Sequence, residues 1–206
     1  SILHFLLDDL KVSPATIVAT SRTPQSLAWA QARGVIVRRA DYEDTEGLAP
    51  ALAGARRMLL ISTDALDRPG RRIAQHRAAV DAAAQAGVEH IVYTSAPLAS
   101  GPGSPIYDSI TADHFLTEQA IMASGLGWSL MRNCWYADCI DVHPVHELTV
   151  PIRHALRTGE WLTAANGGQT GYVVREDSMR AAAAALLSGG RPFGAYEITG
   201  PQALSV

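Results

Sequence analysis

Residues 88–95, VEHIVYTS, decide the fold of this chain. The run is rich in β-branched and aromatic residues, follows Gly87, and ends on two hydroxyl side chains, Thr94 and Ser95. A short apolar run of this kind is what a strand buried on both faces looks like. Before it lies a long alanine-rich helical stretch, roughly Gly70–Ala86. After it His114 and Glu118 fall four apart on a second helical stretch, Asp113–Ser124, closed by Gly125. A further strand-like run, Trp128–Met131, leads into Arg132 and Asn133, with Trp135 and Tyr136 just beyond. In an open α/β sheet, ligands bind past the carboxyl ends of the strands. Polar side chains gathered at two such ends therefore predict one site.

The same alternation extends in both directions. Ser1–Leu10 carries a helical stripe of Ile2, Leu3, Leu6, Leu7 and Leu10. Ala15–Thr20 reads as a buried strand after Pro14, and Pro24 opens a helix that ends at Gly34. Val35–Arg39 is a strand, Thr45–Ala53 a helix stopped by Gly54, and Arg57–Ile61 a strand. Past Pro144 a helix is expected within His143–Arg157, with short strands at Trp161–Thr163 and Tyr172–Val174. Glu176–Ser188 is strongly helical and Ala195–Thr199 is a last strand. Strands alternating with helices of this length predict an α/β fold with a doubly wound parallel sheet. One domain over residues 1–206 is expected, with a small cap region on the substrate side at 138–172.

Composition narrows the function classes. A hydrophobic fraction of 48% with 18% charged residues describes an ordinary globular chain. A net charge of −3 leaves no electrostatic footprint for nucleic acid or an anionic membrane. No apolar run is long enough to span a bilayer. Cys134 and Cys139 are the only cysteines, which fits two free thiols in a reducing cytosol and no disulfide framework. His143 and His146 have a spacing that metals use, but no third ligand accompanies them, so no metal site is predicted.

A dinucleotide-binding sheet begins with a strand, a glycine-rich turn and a helix whose N-terminus holds the pyrophosphate. No such glycine pattern stands near Ser1; Gly101, Gly103, Gly167 and Gly168 follow the wrong elements. In the order 3-2-1-4-5-6 that first strand is central, between Ala15–Thr20 and Arg57–Ile61. The sequence is therefore expected to start, and at Val206 to stop, inside a longer polypeptide.

Seven segments carry a resemblance to a known family: IVATSRTPQSL (17–27), RRADYED (38–44), LLIST (59–63), QHRAAVDAAAQAGVEHIVYTS (75–95), TADHFLTEQ (111–119), LMRNCWY (130–136) and VVREDSMRAAAAAL (173–186). In order and spacing they resemble the atypical short-chain dehydrogenase/reductases, in the NmrA-like branch that includes type 2 NAD(P)H:quinone oxidoreductases. The resemblance covers nearly the whole chain and implies an NAD(P)-binding Rossmann-type fold. It makes Asp41 and Tyr42, after the third strand of that fold, adenine-side contacts, although as isolated residues they read equally as ordinary loop.

Other assignments follow from strand-end position. Arg22, just after the second strand of the fold, can pair with a 2′-phosphate, which favours NADP(H) over NAD(H); alone it reads as a solvated turn residue. The backbone of Ile61, Ser62 and Thr63 should border the middle of the cofactor. Gln75 can reach the same crevice, whereas His76 reads as a helix-surface or packing residue.

In short-chain dehydrogenases a Ser or Thr at the position of Thr94-Ser95 orients a substrate carbonyl, backed by a Tyr-x-x-x-Lys pair. Setting Glu118 on the Glu that follows this pair in extended members puts His114 in the Lys place and Ile110 in the Tyr place. Tyr107 lies a turn away. His114 is then a candidate for the nicotinamide ribose, or else a buried packing residue. Asn133, Trp135 and Tyr136 suit a slot for a flat acceptor, with an amide to orient and two aromatic faces to stack; they could equally close the core. The candidate catalytic set is thus His114, Asn133 and Tyr136, with Ser95, Trp135 and Tyr136 on the substrate side. Arg132 is left to a phosphate or to Glu118.

The missing tyrosine bears on chemistry. Reduction to an alcohol needs a proton delivered in step with hydride. An electron-poor quinone does not, because its reduced form is a stabilised phenolate. The expected function is hydride transfer from a nicotinamide cofactor to a quinone-like acceptor. The alternative is a redox-sensing regulator that binds NAD(P) without turnover, and a sugar epimerase or dehydratase is a third, disfavoured reading. The expected partner is a small molecule, without nucleic acid or membrane; a homodimer is left open, and the expected location is cytoplasmic.

Overall fold

The computed structural model describes residues 1–97, 110–139, 149–161 and 167–205. Five strands run parallel in sequence order with helices between them: β1 (Val18–Ser21), β2 (Ile36–Arg39), β3 (Arg57–Leu60), β4 (His90–Ser95) and β5 (Gly127–Asn133). Helix α1 (Ile2–His4) continues as a π turn over Phe5–Asp9, and α2 (Ala28–Gln31) extends a 3₁₀ turn opened by Pro24. Then come α3 (Thr45–Leu52), α4 (Arg71–Gln85), α5 (Ile110–Ala123), α6 (Thr149–Thr158) and α7 (Arg175–Ser188). β6 (Trp135–Tyr136), β7 (Gln169–Val173), β8 (Gly194–Ile198) and β9 (Ala203–Ser205) complete the described strands.

β1 and β2 form one parallel ladder, and β3-β4-β5-β8 form a second, also parallel throughout. This is the doubly wound, Rossmann-type arrangement that the sequence predicts. In β4, Ile91, Val92 and Tyr93 are fully buried, as expected for a strand covered on both faces. One face packs Ala79, Val80 and Ala83 of α4 and Ile121 of α5 against β3, β4 and β5. On the other face α7 joins both ladders: Ala183 belongs to one core cluster with Ala19 of β1, and Ala185 to another with Val92 and Met131. Burying each large aliphatic side chain contributes about 1.5–3 kcal/mol, so these two layers fix where the strand ends lie.

Several element boundaries differ from the sequence expectation. Pro14 starts a 3₁₀ turn over Pro14–Thr16, closed by Thr16 Oγ1 donating to the Ser13 carbonyl, so the strand begins at Val18 rather than Ala15. Leu10 is exposed, because the π turn ends at Asp9 and carries the apolar stripe past the core. Ile61 lies beyond β3 with its side chain half exposed. Trp161 is not in a strand, and residues 162–163 lie outside the described set. Val174 caps α7 instead of extending a strand.

A small sheet, β6-β7-β9, was not legible in the sequence. β6 pairs parallel with β7 over Trp135↔Tyr172 and Tyr136↔Val173, and β7 pairs antiparallel with β9. Gly200 makes the close approach beside it: its N–H donates to the Tyr172 carbonyl at 2.9 Å, and a Cβ there would run into that oxygen. Among the described residues, no helix is long and apolar enough to cross a membrane.

Candidate active site

The carboxyl ends of β1, β2 and β3 open on a polar cleft of about 600 Å³. Its walls carry Arg22 after β1, Asp41 and Tyr42 after β2, and Ser62 and Thr63 after β3. Five predicted cofactor residues from three separate turns are thereby brought together. Arg22 is the exposed cation of this cleft; Arg71, also on its wall, is committed to Glu43 at 2.8 Å and to Asp67 at 2.9 Å. Asp41 is held 3.5 Å from Arg39. Tyr42 packs its ring against the main core, and burial pushes its hydroxyl pKa up. Gln75 reaches the cleft and donates to Glu43 Oε1 at 2.6 Å.

The β3-end loop is tied down from behind. The Ser62 N–H donates to Thr94 Oγ1 at 2.9 Å, so Thr94, itself not on the cleft lining, holds a wall residue from behind. The Thr63 N–H donates to His76 Nε2 at 3.0 Å, and the Thr63 carbonyl accepts from Arg72 Nε at 2.6 Å. His76 is therefore neither a surface residue nor plain packing: it is fully buried and hydrogen-bonded at both ring nitrogens. Arg72, 4% exposed, went unrecognised in the sequence, because an alanine-rich helix does not reveal which of its long polar side chains turn inward.

The remaining predicted residues do not line the cleft. Ser95, at the end of β4, donates to Glu118 Oε1 at 2.6 Å. Glu118 is buried and receives Arg132 Nε at 3.0 Å and Nη2 at 2.8 Å, so Arg132 serves the carboxylate. His114 is buried with both ring nitrogens engaged: Arg72 Nη2 donates to Nε2 at 3.0 Å, and Nδ1 bonds the Tyr93 hydroxyl at 2.9 Å. Burial, and then the Arg72 charge, lower the His114 pKa to about 3, and the same causes lower that of His76 to about 3. His114 is thus neutral and in this arrangement has no ring nitrogen left for a ribose. Trp135 is half exposed in β6 beside Tyr136. Tyr107, His143, His146, Gly101 and Gly103 lie outside the described residues.

Asn133 ends β5, one residue past the Ser95↔Arg132 pairing that joins β5 to β4. It is 9% exposed, and its Oδ1 has no hydrogen-bond partner among the described residues. Buried acceptors are nearly always satisfied, so an orphan of this kind at a strand end fits a ligand amide. The exposed Arg22 guanidinium on the cleft wall fits a phosphate. The residues present therefore suit a nicotinamide dinucleotide.

A doubly wound parallel sheet with a polar cleft at the carboxyl ends of its strands has the geometry in which open α/β sheets bind nucleotides. Residues 4–146 match the model of the NAD(P)H-binding family, and the chain belongs to that family. It is 34% identical over 202 residues to quinone oxidoreductase 2 of Escherichia coli strain K12, covering 97% of this chain and 65% of that protein. It is 32% identical over 138 residues to an NmrA-like family domain-containing oxidoreductase of Aspergillus flavus, covering 66% of this chain and 44% of that protein. The crystal structure of the E. coli NADPH-dependent quinone oxidoreductase complexed with NADPH superposes with a TM-score of 0.81 at 33% identity, over 100% of this chain and 68% of that one. The chain thus spans about two thirds or less of the length of the curated relatives it matches.

Proposed function

We propose that this chain binds NADP(H) in preference to NAD(H) and serves an oxidoreductase that passes hydride to a quinone-like acceptor. The observation that carries this reading is the cleft itself, which gathers Arg22, Asp41, Tyr42, Ser62 and Thr63 at three adjacent strand ends. Arg22 meets the 2′-phosphate, Asp41 and Tyr42 take the adenine side, and Ser62, Thr63 and Thr94 border the middle of the cofactor. Ile61 contributes backbone only. The likeness to the E. coli quinone oxidoreductase supports the same assignment.

When bound, the nicotinamide supplies the hydride. The protein orients it: Asn133 offers its unpaired buried oxygen to the carboxamide, while Trp135 and Tyr136 provide faces for a flat acceptor. His114, neutral, has its one ring proton committed to the Tyr93 hydroxyl, and the Ser95 proton is committed to Glu118. This supports an acceptor whose reduced form needs no proton delivered in step, as a quinone does, over a simple ketone. The substrate is a small molecule, without nucleic acid or membrane, and a cytoplasmic location belongs to the same reading, supported by a sequence with two cysteines.

Titration with NADPH and NADH, followed by loss of NADPH absorbance with and without a benzoquinone, tests the proposal. Uptake of NADPH with quinone-dependent oxidation is expected; no uptake of either nucleotide sinks it. Tight binding without turnover would favour the regulator reading, which the committed state of His114 keeps in play.

A further inference from the structure

We infer that His76 and Arg72 are positioning residues for the cofactor: from one face of α4 they clamp the Thr63 backbone, and His114 and Thr117 on α5 brace the clamp from behind. This rests on the NADP(H) reading of the cleft and goes beyond it, because none of the four side chains lines the cleft.

Directionality makes the clamp specific. A backbone N–H can only donate, so the His76 Nε2 that meets the Thr63 N–H at 3.0 Å is an acceptor. The ring proton therefore sits on Nδ1 and is donated to Thr117 Oγ1 at 2.9 Å. The Thr117 hydroxyl in turn donates to the Asp113 carbonyl at 2.7 Å. A second relay runs beside the first. Arg72 Nε donates to the Thr63 carbonyl at 2.6 Å, its Nη2 donates to His114 Nε2 at 3.0 Å, and His114 Nδ1–H then donates to the Tyr93 hydroxyl at 2.9 Å. Arg72 and His76 are four residues apart, on one face of the helix. His114 and Thr117 are three apart and share a face in the same way.

Every member of these relays is buried: Arg72 is 4% exposed, His114 6%, and His76 and Thr117 0%. Burying a guanidinium and two imidazoles between helices costs stability that aliphatic packing would not. Asp113 Oδ2, 3.6 Å from Arg72, balances the charge. What the arrangement provides is a loop whose N–H and carbonyl at Thr63 are both held, with Ser62 held next door by Thr94. A fixed cleft wall lowers the ordering cost that a ligand would otherwise meet.

The test pairs His76→Leu, which removes the acceptor, with His76→Gln, whose Oε1 can still accept the Thr63 N–H. Two quantities are read: the Kd for NADPH, and amide hydrogen exchange in the cofactor-free protein. His76→Leu is expected to raise the Kd about tenfold and to speed exchange at Thr63 at least tenfold, with Leu130 in β5 unchanged, and His76→Gln to restore most of both. Should His76→Leu fail to fold, Thr117→Val, which removes only the brace, is expected to speed Thr63 exchange by a smaller factor. A Thr63 amide as protected in His76→Leu as in the parent, or in Thr117→Val if that variant must stand in, overturns the inference. So does a loss that accelerates every amide together and is not rescued by Gln. If the parent takes up no NADPH, the cofactor reading fails, while Thr63 exchange still decides whether the clamp exists.

Discussion

Arg132 grips Glu118 with two parallel hydrogen bonds, Nε to Oε1 at 3.0 Å and Nη2 to Oε2 at 2.8 Å, while the carboxylate is 2% exposed. Ser95 adds a third bond to the same carboxylate at 2.6 Å, and Glu197 lies 3.3 Å from the outer edge of the guanidinium. The pair ties α5 to the ends of β4 and β5, where Ser95 and Arg132 are ladder neighbours. The Glu118 carboxylate, and then Glu197, hold the Arg132 pKa above its ordinary value. Removing one partner of such a pair leaves a buried charge uncompensated, which costs roughly 3–5 kcal/mol. Urea unfolding of Arg132→Met is expected to show a loss of that order. Arg132→Lys should lose less, keeping the charge but not the fork, and Glu118→Gln combined with Arg132→Met should recover part of the loss. A loss below about 1 kcal/mol for Arg132→Met would show that the pair contributes little.

Acid should weaken this fold before its carboxylates titrate. His76 and His114 have folded pKa values lowered to about 3 by burial and by Arg72, against an ordinary value of 6.5. Below pH 6.5 the unfolded chain binds protons at these sites and the folded chain does not. Stability is therefore fully present above the unfolded value and falls as pH drops toward 3, by up to about 1.4 kcal/mol per histidine per pH unit. Unfolding midpoints of the parent should decline steadily between pH 6.5 and pH 5. A His76→Gln, His114→Gln double variant should show a flatter limb, and equal slopes in the two proteins would contradict the assignment.

Strand ends were legible in the sequence because a doubly wound sheet fixes where they must lie: Arg22, Asp41, Tyr42, Ser62 and Thr63 come from three turns and meet in one cleft. The wiring behind them was not. Tyr93 sits in a run of buried β-branched residues, and nothing in VEHIVYTS tells a core tyrosine from one hydrogen-bonded to His114. Arg72 and His76 continue, at helical spacing, the face of Ala79, Val80 and Ala83, but their polar side chains read as solvated or packing residues until the bonds to Thr63 show what they hold. β6 has two residues, too few for any periodicity, so the small sheet could be found only from its pairing with β7.

Arg22 should set nucleotide preference. It is the exposed cation of the cleft, while Arg71 is shared between Glu43 and Asp67. A charge-assisted contact to a 2′-phosphate is worth about 1.5–3 kcal/mol, or roughly tenfold or more in affinity. Arg22→Ala is expected to weaken NADPH binding by at least that factor and to leave NADH binding nearly unchanged. Calorimetric titration of both nucleotides checks this, and an equal loss for the two would assign Arg22 to some other part of the cofactor.

Asn133 offers a test in which stability and binding move apart. Its Oδ1 is buried and without a partner among the described residues, so the folded protein already bears the cost of desolvating it. Replacing an unsatisfied acceptor with an apolar group of similar size removes that cost. Asn133→Leu is therefore expected to leave the cofactor-free protein as stable as the parent or more so, by up to about 1 kcal/mol. The same change deletes the oxygen proposed to receive the carboxamide, so NADPH affinity should fall about tenfold. Thermal unfolding and NADPH titration on one preparation read both effects. A variant that loses more than about 2 kcal/mol would mean that the oxygen is satisfied in solution. Unchanged affinity would mean that the nicotinamide is oriented by other groups at the β4 and β5 ends.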